Sequence, residues 1–143
     1  MIVGFTGTRS GMTDLQKGSV TKILKEFDAD TVGLHGDCIG ADNDFNDICA
    51  ALNFERNMRP CTIENMRANS DAVPLSEPVS PMVRNRAIVK DAKVMIACPP
   101  NFEMVKRSGT WATIGFTRKA GKPLFLVFPD GKIVIERIKH KNA

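Results

Sequence analysis

The chain has 143 residues, 43% hydrophobic and 25% charged, enough for one globular domain with a substantial core. Its formal net charge of +4 suits a small anionic ligand and falls short of the dense Lys/Arg blocks with interleaved aromatics that make a nucleic-acid platform. Four scattered cysteines, two histidines (His35 and His140) and no apolar run of membrane-spanning length argue against a zinc site, a disulfide framework and a bilayer span.

Met1–Thr6 is short, apolar and partly β-branched, then stops at GTRSG, which predicts a buried strand and a tight loop. No signal peptide is legible there, so a cytoplasmic protein with free thiols and no cofactor is expected. The segment TDLQ, Thr13 to Gln16, predicts a capping box in which the Thr13 hydroxyl accepts from the Gln16 N–H. Val20, Ile23, Leu24 and Phe27 follow at helical spacing, and Thr31–Leu34 predicts a second strand ending at HGD. Ala41, Phe45, Ile48, Cys49 and Leu52 repeat at helix period, with Asp42 and Asp44 in the first turn, where the dipole favours carboxylates.

Arg56–Cys61 is a weaker strand candidate. Thr62–Ser80 is polar, holds Pro74 and Pro78, and predicts a functional or mobile loop. Pro81 opens a predicted helix, and Lys93–Ala97 is a strand halted by CPP. A helix over Gly109–Ala120 closes on Gly121, and Pro123–Phe128 is a strand stopped by PDG. Ile133, Ile135 and Ile138 predict a terminal strand or extension.

Strands that alternate with helices predict an α/β fold, a single three-layer α/β/α domain over residues 1–143 with a mainly parallel central sheet. Ligands of such sheets bind beyond the carboxyl ends of the strands. The loops GTRSG, HGDCIGAD and CPPN…RSGT all follow strands and so gather on that edge. Three small-residue loops in one place point to an anion or nucleotide cradle.

Each loop offers candidate ligands. Gly7 allows close backbone approach, Thr8 can donate a hydrogen bond, and Arg9 can fork onto a phosphate. Within HGDCIGAD, the candidates are Gly36, Asp37, Gly40 and Asp42; Asp42 reads either as a helix cap or as an acceptor for ribose hydroxyls. His35, with no serine or cysteine partner in view, reads as structural. In RNRAIV, one of Arg84 and Arg86 turns to the ligand edge while the other is solvated, and Asn85 can bond the neighbouring loop. Arg107, Ser108, Gly109 and Thr110 stand at the mouth of a helix, where exposed N–H groups attract an anion; Ser108 is equally suited to a plain N-cap. Trp111, the sole tryptophan, reads as helix-to-sheet packing ahead of base stacking.

Together GFTGTR, HGDCIGAD, RNRAIVKDAKVMIACPP and RSGTWATIGFTRKAGKPLFLVFPDG resemble the SLOG superfamily, Rossmann-like proteins that include the Lonely-guy (LOG) phosphoribohydrolases and Smf/DprA-type proteins. The resemblance is greatest to small phage and bacterial members with an H-G-x-x-x-G-A-D segment. It implies a nucleotide or nucleotide-derived ligand, ADP-ribose-like or a cyclic nucleotide signal, held by a sensor or sequestering module that is a homo-oligomer. LOG enzymes carry P-G-G-x-G-T-x-x-E, whose glutamate is catalytic. Here Gly109 and Thr110 keep the G-T, Lys106 and Arg107 replace the two glycines, and Thr113 replaces the glutamate. The alternative is an N-glycoside hydrolase of a nucleoside 5′-phosphate, with Asp42, Glu103 or Glu77 as the carboxylate. Single-stranded DNA binding by analogy with DprA is weaker, because aromatic platforms are lacking.

Overall fold

The computed structural model describes residues 1–137; Ile138 and His140 lie outside the described residues. In chain order the elements are β1 (Ile2–Gly7), α1 (Asp14–Leu24), β2 (Val32–His35), α2 (Ala41–Ala51), β3 (Glu55–Met58), a 3-10 turn (Glu64–Met66), β4 (Val73–Pro74), α3 (Pro81–Asp91), β5 (Val94–Cys98), α4 (Gly109–Lys119), β6 (Leu124–Val127) and β7 (Ile133–Glu136). The strands form one sheet in the order β4-β3-β2-β1-β5-β6-β7, parallel except for β7, which runs antiparallel to β6. This is the expected α/β architecture. Among the described residues no helix is long and apolar enough to cross a membrane.

The four anticipated strands are all present, each with bounds displaced by a residue or so. Two corrections fall on the weaker half of the sheet. The strand expected at Arg56–Cys61 is found at Glu55–Met58: the Arg59 N–H still donates to the His35 carbonyl at 2.9 Å, but Pro60 has no N–H with which to extend the ladder. The Thr62–Ser80 segment is not wholly a loop. It contains the 3-10 turn and the edge strand β4, where Pro74 is tolerated because an edge position leaves its missing N–H facing no partner strand.

Local chemistry sets the helix ends. The Thr13–Gln16 capping box forms as expected, and the buried Gln16 amide also donates to the carbonyls of Pro99 and Val127. Pro81 is the first residue of α3, and Gly121, at φ 69°, follows the C-cap of α4 in the left-handed region. The Lys122 N–H reaches the Thr117 carbonyl and the Gly121 N–H the Arg118 carbonyl, which satisfies the last turn.

Two apolar layers sandwich the sheet. Val20, Ile23 and Leu24 of α1 and Ala41, Phe45 and Cys49 of α2 pack with Val3 and Phe5 on one face. Ile88 and Val89 of α3 and Trp111 and Ile114 of α4 pack with Met95, Ala97 and Leu126 on the other. Phe5 stacks on Phe45 at 4.6 Å between centroids, and each fully buried ring stabilises the fold by roughly 1.5–3 kcal/mol. The helices after β1 and β2 cover one face, and those flanking β5 cover the other. The order in which strands are added reverses between the parallel neighbours β1 and β5, which opens a crevice at their carboxyl ends.

Candidate functional site

The crevice is built from the loop backbones upward. After β1, the Thr8 carbonyl accepts the N–H groups of both Gly11 and Ala41, at 3.1 and 3.0 Å, and so ties the first loop to the start of α2. Gly40, at φ 93°, makes that approach possible: a Cβ there would collide with the Arg9 backbone. Gly7 is equally confined, between Ala41 and Phe5. Arg9 itself is exposed at the rim.

After β2, Asp42 organises the loop. It is in the first turn of α2, one residue beyond a helix start at Ala41, and does not cap the helix. Its Oδ2 accepts the N–H groups of Gly36 and Cys38, both at 3.1 Å. His35 is fully buried; its Nε2 pairs with the Asn46 amide oxygen at 3.0 Å and its Nδ1 accepts the Asp37 N–H, a structural role. Burial pushes the Cys38 thiol up to about 11, with Asp42 adding to the shift and Arg84 opposing it.

Arg84 enters from α3. It is 4% exposed, its Nη1 donates to the Gly36 carbonyl at 2.5 Å, its Nε to the Asn85 amide oxygen at 2.6 Å, and its Nη2 to the Cys38 sulfur at 3.4 Å. Among the described residues no carboxylate forms an ion pair with it. Gly36 is glycine because a Cβ would overlap the guanidinium. Arg86, the other arginine, lies exposed over the Phe116 ring at 4.7 Å. Asn85 thus serves its own neighbour rather than the adjacent loop.

The third wall is the start of α4. Arg107 adopts φ 65°, uncommon for a non-glycine residue, and turns the chain into the Ser108 N-cap. The Ser108 hydroxyl accepts the Trp111 N–H at 3.3 Å, so it is a cap. The cap leaves the Gly109 and Thr110 N–H groups without a protein acceptor among the described residues. A Cβ on Gly109 would meet nothing within 4 Å, since that position opens onto the crevice. Trp111 is buried against the sheet, its Nε1 donating to Asn101 at 2.8 Å. Thr113, at the glutamate position of the LOG pattern, is also buried, its hydroxyl donating to the Gly109 carbonyl.

These walls enclose a cavity of 490 Å³. Gly7, Thr8 and Arg9 line it from β1, Gly36 and Asp42 from β2, Arg84 and Asn85 from α3, and Arg107 to Thr110 from α4. Four sequence candidates do not line it. Asp37 is buried behind the loop, where its Oδ1 accepts the Ser70 N–H, and Gly40 acts through its close backbone contact with Arg9. Glu77 and Glu103 are exposed and away from the cavity wall. Sequence reasoning missed Phe5, Thr6, Cys38, Met66, Pro81 and Ile88. Cys38 and Thr6 adjoin motif residues and were within reach; Met66, in a polar stretch far along the chain, carried no local signal.

No protein-family profile matches the chain, and no curated protein matches it in sequence. Solved structures match it in fold. A molybdenum cofactor binding protein from Rippkaea orientalis superposes with a TM-score of 0.68 at 17% identity, over 89% of this chain and 76% of that one. DNA processing protein A (DprA) from Streptococcus pneumoniae gives 0.66 at 17% identity over 87% of this chain, which spans 49% of that protein. DprA from Helicobacter pylori, described for its single-stranded DNA binding mode, gives 0.57 at 18% identity over 88% of this chain and 64% of that one. At these identities the likeness establishes the fold alone, a Rossmann-like α/β fold.

Proposed function

We propose that the crevice binds an anionic small molecule, a nucleotide or nucleotide-derived ligand, and that the protein acts as a sensor or sequestering module for it. The observation that carries this reading is Arg84. A buried guanidinium with no carboxylate partner among the described residues is costly in the free protein, and an anionic ligand in the shared cavity would offset that cost. The N–H groups of Gly109 and Thr110, without a protein acceptor among the described residues, add a second positive pole suited to a phosphate, with Arg107 and Arg9 at the rim. Asp42 is the acidic residue of the lining, and its repulsion of a phosphate suits it to ribose hydroxyls instead. The test is calorimetry with a panel of nucleotides. Binding that is lost on replacing Gly109 or Arg84 supports the reading.

Asp42 also gives the hydrolase alternative its one available carboxylate, because Glu77 and Glu103 do not line the cavity. Incubation with nucleoside 5′-phosphates and chromatography for free base separates cleavage from binding. Oligonucleotides belong in the same panel, since a DprA neighbour is described as binding single-stranded DNA. Self-association is part of the proposal too: Met82 and Val83, in the first turn of α3 beside the cavity, are exposed apolar residues.

A further inference from the structure

The wall contributed by Met66 calls for an explanation, because it comes from the Thr62–Ser80 segment, far along the chain from the strand-end loops that supply the other walls. The segment is fastened there on both sides of Met66. The Ile39 N–H donates to the Met66 carbonyl at 2.9 Å, and the Ala68 N–H donates to the Asp37 carbonyl at 2.7 Å. The Asp37 side chain completes the clamp, accepting the Ser70 N–H at 2.9 Å through Oδ1 and facing the Arg67 guanidinium at 3.4 Å through Oδ2. Asp37 and Asn69 both take left-handed backbone, φ 56° and 54°, a conformation that Asp and Asn tolerate better than most residues. A fully buried carboxylate thus fastens the residues that follow Met66, Arg67 and Ser70, to the β2 loop.

The two ends of the cavity differ in chemistry. The α4 end offers bare N–H groups and Arg107. Met66 is tied instead to the β2 loop through the Ile39 N–H, and its thioether and methylenes are of a kind that adapts to a flat apolar surface. The β2 and β5 loops are two strand positions apart in the sheet, roughly 10 Å at the usual strand spacing, which leaves room for a sugar between.

Resting on the nucleotide reading above, we infer that Met66 is the specificity wall of the site: the ligand's heterocyclic base packs against it, and Asp37 is the positioning residue that holds it in place. Ligands truncated before the base therefore do not sense Met66.

The experiment compares calorimetric affinities of ribose 5-phosphate (by competition) and of AMP, GMP, CMP and UMP in wild type, Met66→Ala, Met66→Leu, Asp37→Ala and Asp37→Asn, with circular dichroism to check folding. The expected result is a loss of about tenfold for the best nucleotide in Met66→Ala and Asp37→Ala, with ribose 5-phosphate unchanged. Met66→Leu and Asp37→Asn should restore nucleotide affinity, since each keeps the packing or the acceptor. If wild type binds nucleotides and the ratio of the two affinities does not move in Met66→Ala, the inference is overturned and the binding reading stands. If wild type binds none of these ligands, the binding reading fails and this inference falls with it.

Discussion

Arg84 Nη1 donates to the carbonyl of Gly36, and this contact decides how the β2 loop and α3 meet. Gly36 has no side chain to obstruct it, and Asp42 holds the Gly36 N–H from the opposite side. The peptide at Gly36 is therefore fixed at both polar groups, and the guanidinium lies buried in the cavity wall beside it.

Replacing Arg84 with methionine removes a desolvated charge and also its hydrogen bonds to Gly36, Asn85 and Cys38. The two effects oppose each other, so the stability of the ligand-free protein should stay within about 1.5 kcal/mol of wild type. Chemical denaturation checks this. A much larger loss would mean that Arg84 is a structural strut first.

Two glycines should behave in opposite ways. Gly40→Ala puts a Cβ against the Arg9 backbone at a left-handed position and should cost about 1–3 kcal/mol or more. Gly109→Val points into open space, and the domain should keep its melting temperature to within a few degrees. Thermal melts of the two variants side by side test the geometry of both loops.

The Cys38 and Cys49 thiols are pushed up to about 11 and about 12, in each case chiefly by burial. Both folded values lie above the ordinary thiol value of 9.0, so the folded state keeps protons that the unfolded state loses. Their contribution to stability is full below pH 9 and declines as pH rises toward 11 and 12. Iodoacetamide labelling of Cys38 at pH 8 should be slow, accelerate with pH, and be slowed further by a bound ligand. Rapid labelling at neutral pH would contradict the burial of this wall.

Self-association through the exposed start of α3 predicts that light scattering reports a dimer or larger species, and that Met82→Glu combined with Val83→Lys yields a monomer. A monomeric wild type at micromolar concentration would count against it.

Much of this site was legible because its residues are local to strand ends. Apolar runs stopping at GTRSG, HGD and CPP fix where the sheet edge lies, and small or polar residues there have few structural reasons to be so placed. Arg84 was legible only as one of two arginines, since choosing between it and Arg86 needs the rotation of α3. Asp37 turns away from the cavity for a reason the sequence does not show: a loop carboxylate beside a cavity-lining glycine looks the same whether it faces the cavity or a distant backbone N–H. Met66 was invisible because its placement depends on the Asp37 clamp, a contact across 30 residues of chain. The edge strand β4 escaped notice because two residues that include a proline carry no alternation to read.

The most direct test is isothermal titration calorimetry of wild type, Arg84→Met and Gly109→Val with nucleoside mono- and diphosphates. Wild type should bind at least one of them, and each variant should lose about tenfold or more in affinity while remaining folded, as expected for a charge-assisted contact and for a blocked backbone approach. If both variants bind a genuine ligand as tightly as wild type, the anion does not sit between Arg84 and the N-terminus of α4, and Ser108 to Thr110 are only a capped helix start.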